Sequence, residues 1–101
     1  MTSVIFDPDA KEEFLEAVRY YERCQIGLGR RFRHAVEASV EKIAAAPFMY
    51  RILHAPFRRC LLQKFPYSII YTIEPEHIRV IAVGHNKRKP EYWTNRIPRQ
   101  G

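Results

Sequence analysis

Near the end of the chain, His85, Asn86, Lys87, Arg88 and Lys89 run together, and Pro90, Glu91, Tyr92 and Trp93 follow at once. Imidazole is the only side chain whose unperturbed pKa, about 6.5, lies near neutrality, which makes His85 a candidate functional group. The competing reading is a surface or capping histidine, and the two carry equal weight. Lys87, Arg88 and Lys89 suit phosphates or acidic side chains, against the plainer alternative of a solvated charge run. Trp93 is expected in the core, whereas Tyr92 is open between docking and function. Arg58, Lys64, Lys87 and Lys89 are the cations assigned to a nucleic acid or other target. Arg58 and Arg59 fall on opposite faces of one strand, so at most one of them serves a single site. No nucleophile–base–acid triad stands out. The histidines at 34, 54, 77 and 85 lack metal-ligand spacing, and no metal or cofactor is expected.

The charge around these residues is uneven. The chain of 101 residues carries +6, but residues 1–50 hold seven Lys/Arg against eight Asp/Glu, and residues 51–101 hold ten against three. A basic half at +7 beside a half at −1 favours a polyanion or an acidic protein as partner. The length is that of one domain, 1–101, with a modest core. No run approaches the roughly 18 apolar residues of a membrane span. MTSVIFDPDA has neither a basic nor an apolar leader region, so a cytoplasmic protein is expected. Cys24 and Cys60 are read as reduced, partly buried thiols.

The elements that must position the basic run are legible in the pattern. Tyr67, Ile69, Tyr71 and Ile73 alternate with Ser68, Ile70 and Thr72. Apolar side chains on both faces predict a central strand. Glu74-Pro75-Glu76-His77 is a reversal, and Ile78–Gly84 is the second arm of an antiparallel hairpin. In that arm, Ile78, Val80 and Ala82 are expected on one face and Arg79, Ile81 and Val83 on the other.

Before the hairpin, Val4–Phe6 predicts a short strand. Asp7 and Pro8 predict the cap and first residue of a helix running to about Gln25. Its apolar face is Ala10, Phe14, Ala17, Val18 and Tyr21, with Glu13 assigned to the polar side and Tyr20 to helix packing. After Gly27 and Gly29, the series Phe32, Val36, Val40, Ile43 predicts a second helix, ended by Pro47. The pair reads as a helical hairpin covering one face of the sheet. A short strand is expected near residue 51. Phe57–Phe65 predicts a longer one, with Arg59, Leu61 and Phe65 on one face and Cys60 and Leu62 on the other. Tyr92, Trp93 and Ile97 are expected to dock on the sheet. The fold class is α+β: an N-terminal strand and an antiparallel helical hairpin packed on a mostly antiparallel sheet of four or five strands.

Phe6, Pro8, Ala10 and Glu13, then Glu16-Ala17, Tyr20-Tyr21, Phe32, Ile43 and Pro47, lead into Phe65-Pro66-Tyr67, Ile70-Tyr71, Ala82-Val83, His85 and Arg88-x-Pro90-x-Tyr92-Trp93. This series resembles the ParE/RelE superfamily of toxins from bacterial type II toxin–antitoxin (plasmid stabilisation) modules, over nearly the whole chain. The resemblance implies a small basic toxin that inhibits growth and is bound by a cognate antitoxin. RelE-like members cut mRNA in the ribosomal A site without a metal; ParE-like members poison DNA gyrase. If this chain cuts RNA, the resemblance implies His85, Arg88 and Tyr92 as the groups that carry charge or a proton. Two positions depart from the nuclease pattern. Ser68 and Asn86 stand where RelE-like nucleases carry arginines. Losing two cations near a scissile phosphate weakens transition-state stabilisation, at about 3 kcal/mol for one lost oxyanion donor. The expectation therefore leans to a gyrase poison, with a ribosome-dependent endoribonuclease and a non-toxic basic binding module as alternatives.

Overall fold

A computed structural model describes residues 2–89 and 91–96. The elements follow in the order β1 (Val4–Phe6), α1 (Pro8–Cys24), α2 (Leu28–Ala45), β2 (Arg51–His54), β3 (Phe57–Leu61), β4 (Tyr67–Ile73), β5 (Ile78–His85) and a single 3-10 turn at Thr94–Arg96. The five strands form one sheet in the order β1-β5-β4-β3-β2, with β1 parallel to β5 and every other pair antiparallel. The α+β architecture expected from the pattern is present, with β4 at the centre. Ile97 lies outside the described residues.

The two helices cover one face of this sheet. Phe32, Val36 and Ile43 of α2 and Ala10 and Ala17 of α1 are buried against Ile69, Tyr71, Ile78, Val80 and Val83. Phe32 sits among Tyr21, Phe65 and Tyr67, with ring centroids 5.0–5.2 Å away, a spacing at which edge-on aromatic pairs attract. The helices approach closely where Gly29 faces α1. A Cβ there would lie 2.6 Å from the Val18 carbonyl oxygen. The Glu22 carboxylate accepts the amides of Gly27 and Gly29 at 3.0–3.1 Å, so a side chain from α1 caps the start of α2. At the other end of α2, the Tyr71 hydroxyl donates to the Pro47 carbonyl at 2.6 Å. Burial pushes the Tyr71 phenol up to about 12, so it remains a donor.

The opposite face has a smaller core of Phe57, Ile70, Ile81, Ala82 and Trp93. Trp93, 5% exposed, lies against Phe57 with centroids 4.5 Å apart. The segment after β5 thus folds back under the sheet, and both faces of β4 and β5 are covered.

Several local expectations are corrected. Strict alternation in β5 fails, because Ile70 pairs with Ala82 while the next residue, Tyr71, pairs with Val80. Ile81 is the extra residue of a β-bulge. Ile81 and Ala82 therefore both join the lower core, and Val83 turns to the helices. The strand from Phe57 ends at Leu61, and Phe65 packs on the helical side. Cys60 is buried, with its thiol pushed up by burial, but Cys24 is exposed. Tyr20 is 52% exposed rather than packed between helices.

Asp7 precedes α1 but makes no side-chain cap. Its carboxylate instead accepts from Arg79 Nη1 at 2.6 Å, and Arg79 Nε donates to Glu74 at 2.9 Å. Arg79 thus ties the β4–β5 turn to the start of α1. The hydrogen bond from Arg79 holds the Glu74 carboxyl below the usual carboxylate range, against the opposing effect of partial burial. A depressed folded value means that this stabilisation is complete above the unfolded value of about 4.3 and is lost as pH falls through the folded value. Arg79→Ala should cost about 1–3 kcal/mol at neutral pH. The deficit should shrink as pH falls through Glu74's folded value, read as urea midpoints across an acid series. Parallel pH profiles for the two proteins would show that the Arg79–Glu74 bond contributes nothing.

Candidate functional site

The bulge at Ile81 decides which side chains meet at the end of the sheet. Beyond it, Val83 and His85 face the helices, and His85 lies beside its cross-strand partner Tyr67 with ring centroids 5.3 Å apart. The His85 Nδ1 accepts the Lys87 amide at 3.0 Å, which leaves Nε2 as the ring's donor. Ser68 and Asn86 fall on the opposite face, where the Ser68 hydroxyl donates to the Asn86 side-chain carbonyl at 2.5 Å.

Around Ser68 and Asn86 is an open cleft of about 320 Å³, bordered by Arg59, Lys87, Lys89, Tyr92 and Trp93. The cations are brought together from two places in the chain, Arg59 from β3 and Lys87 and Lys89 from the turn after β5. The pairing of Arg59 with Ile70 and Leu61 with Ser68 brings Arg59 to this face. The expectation had favoured Arg58. The structure sends Arg58 to the other side, where Nη1 donates to the carbonyls of Tyr50 at 2.7 Å and Phe48 at 3.2 Å. Lys64 is also distant, bordering a separate groove along α2 with Arg31, His34 and Lys42. Of the predicted residues, Lys87, Arg88, Lys89 and Tyr92 border this cleft, and His85 lies at its edge while its ring packs on Tyr67 of the helical face; Arg58 and Lys64 do not join them.

Tyr92 and Arg88 are held in a partly buried ionic network. Its centre is Glu13, whose side chain is 16% exposed. Glu13 Oε2 accepts from Arg96 Nη2 at 2.9 Å and from Arg88 Nη1 at 3.2 Å. Glu13 Oε1 accepts from Arg96 Nη1 at 3.1 Å and from the Val83 amide at 3.0 Å. Arg96 Nη1 also donates to the Ile81 carbonyl at 3.1 Å. Arg88 and Arg96 lie against the Tyr92 ring, with guanidinium carbons 3.6 and 5.0 Å from its centroid. The Tyr92 hydroxyl is buried at Gly84, where a Cβ would come within 2.2 Å of it. Burial first, and then the charge of Glu13, push the phenol up to about 12 against the opposing pull of Arg88 and Arg96. A phenol so placed stays protonated at neutral pH and is shielded from solvent, a poor arrangement for proton transfer. The sequence reading missed Glu13, although its spacing from Ala10 and Ala17 puts it on the buried stripe of α1.

Among the described residues, no group of three or more His, Cys, Asp or Glu is placed to hold a metal ion. No described helix is long and apolar enough to cross a membrane.

A family model for the ParE toxin of the type II toxin–antitoxin system parDE matches residues 4–90. The chain belongs to the ParE toxin family. The match runs from β1 through the basic run, so it takes in the sheet, both helices and the cleft except for Tyr92 and Trp93. Among solved structures, the chromosomal ParDE TA system from P. aeruginosa is similar in fold: it is 18% identical, covers 84% of this chain and 96% of that chain, and has a TM-score of 0.63. No curated protein matches the sequence.

Two consequences of this ParE-family site are measurable. Glu13→Ala leaves the Val83 amide without its acceptor and Arg96 without its main carboxylate partner, and should cost about 3 kcal/mol, the low end for breaking a buried pair. Trp93 fluorescence should report loosening of the C-terminal segment in the same variant. Gly84→Ala forces the Tyr92 ring aside and should cost about 1–3 kcal/mol. Because the closest clash is with the hydroxyl, most of that cost should disappear in a Tyr92→Phe background. Strict additivity of the two substitutions in urea denaturation would contradict the packing described.

Proposed function

We propose that this ParE-family toxin inhibits bacterial growth by acting on a protein, with DNA gyrase as the target, in the cytoplasm and under the control of a cognate antitoxin. The observation that carries the reading is the Ser68–Asn86 hydrogen bond. Two neutral side chains satisfy each other where the nuclease pattern would place two phosphate-facing arginines. The buried Tyr92 phenol supports the same reading, because a group enclosed by Gly84, Arg88 and Arg96 is badly placed to meet a 2′-hydroxyl. Arg59, Lys87 and Lys89 border the cleft and supply attraction to a polyanion or an acidic protein surface, but attraction alone cleaves nothing.

The antitoxin reading is supported by the basic half of the chain and by the groove of about 530 Å³ along α2, whose rim carries Arg31, His34, Lys42 and Lys64 over an apolar floor that includes Leu28, Ala35 and Phe65. An acidic segment that orders as it binds would satisfy both its charge and its floor. Co-expression with the adjacent antitoxin gene should give a stable complex in size-exclusion chromatography, weakened by Lys42→Glu with Lys64→Glu.

The deciding experiment induces the toxin briefly without antitoxin. Growth should arrest, plasmid supercoiling should fail, and no new codon-phased mRNA 5′ ends should appear. Codon-phased cuts with intact supercoiling would overturn the reading in favour of a ribosome-dependent nuclease. In that case His85→Ala, Arg88→Ala and Tyr92→Phe would locate its active site. A folded chain that leaves growth unchanged would exclude toxicity of this copy.

A further inference from the structure

A second cleft, of about 350 Å³, opens on the helical side of the sheet between the later turns of α1 and the end of β5. Its size is within the range of small-molecule sites. We infer that it binds a mononucleotide-type ligand, a phosphate monoester carrying a flat aromatic ring. The inference does not rest on the toxin reading, since Tyr20, Arg19 and Arg23, which would hold the ligand, carry no part of that argument.

The lining supplies the two kinds of contact such a ligand needs. Tyr20 is a large aromatic left 52% exposed at the cleft, while its neighbour Tyr21 is packed in the core. Tyr67 and His85 stand edge to face at 5.3 Å. The amide of Lys87 holds His85 Nδ1, so the Nε2 proton is the ring's donor. Tyr20, Tyr67 and His85 line the same cleft, and an exposed phenol ring among them is a surface on which a heterocyclic ring can stack. Arg19 and Arg23 stand one helical turn apart on α1 and share this face. Among the described residues Arg23 has no carboxylate partner, and Arg19 has only the exposed Glu12 at 3.6 Å, a pairing weak enough to give way to a phosphate. Guanidinium pairs of this kind bind phosphate through parallel N–H donors.

Charge in the cleft limits the ligand. Glu13 is already matched by Arg88 and Arg96, but Glu16 brings a second carboxylate to the wall. It would repel the added charge of a di- or triphosphate and can accept from a sugar hydroxyl or ring amino group. A single phosphate is therefore favoured over a longer chain.

The test is calorimetric titration of the full-length chain with adenosine 5′-monophosphate, adenosine, inorganic phosphate and a 5′-phosphorylated dinucleotide. The monophosphate should bind saturably, with a Kd below about 1 mM, and more tightly than adenosine or phosphate alone. Tyr20→Ala and Arg23→Ala, both surface changes, should each weaken binding about tenfold, whereas Tyr20→Phe keeps the ring and the affinity. Lys87→Ala with Lys89→Ala, on the other cleft, should change nothing. A dinucleotide that binds more tightly with the same dependence on Tyr20 and Arg23 would support the site and assign its source to a strand end; weaker binding would support the free nucleotide. No saturable binding, phosphate binding as tightly as the monophosphate, or loss on changing Lys87 and Lys89 would each overturn the proposal.

Discussion

The structure depends on how the outer edge of β5 is completed. β1 is only three residues long and pairs with β5 from Ile78 to Val80. Beyond that point the chain turns into α1, and the backbone groups of Ile81 and Val83 would face an edge with no strand. Buried amides and carbonyls left unpaired are costly. Here the Glu13 carboxylate takes the Val83 amide and the Arg96 guanidinium takes the Ile81 carbonyl, while the two side chains pair with each other. One ion pair thus substitutes for a missing strand. It joins the first helix to the last strand and the C-terminal segment, 70 and 83 residues further along the chain.

This arrangement separates the two faces of the sheet at their basic end. The bulge at Ile81 sends His85 to the helical side and Asn86 to the other, so the run that is continuous in sequence serves two clefts. Arg88 lies between them, committed to Glu13 and to the Tyr92 ring. Arg88 and Tyr92, two of the groups that look like a catalytic cluster in sequence, are engaged in an ion pair and in packing. The cations left on the lower face are Arg59, Lys87 and Lys89, suited to attraction rather than to acid–base chemistry. That division is the physical basis for reading this ParE-family chain as a binder of a protein target.

Much of the fold was legible because the apolar periods are clean. The stripe Phe32, Val36, Ile43 marked α2, and apolar residues on both faces marked β4 as central; Trp93 was correctly assigned to the core. The misses share one cause, which is that pairing register and long-range ion pairs leave no local trace. Strict alternation placed Ala82 and Val83 on the wrong faces because a bulge depends on the partner strand. Arg58 and Arg59 are adjacent and chemically alike, and only the register of β3 against β4 separates the carbonyl anchor from the cleft residue. Asp7 looked like a helix cap, but Arg79, 72 residues away, binds it more directly. Glu13 had a local signal in its place on the buried stripe of α1, although its guanidinium partners lie at the far end of the chain.

The central claim is that side chains close the β5 edge as firmly as a strand would. Native-state hydrogen exchange of the Val83 amide measures this directly. The account predicts that Val83 exchanges as slowly as the amides paired between β4 and β5, opening only with global unfolding. Rapid exchange at Val83, like that of an exposed loop amide, while the β4–β5 amides stay protected, would contradict it.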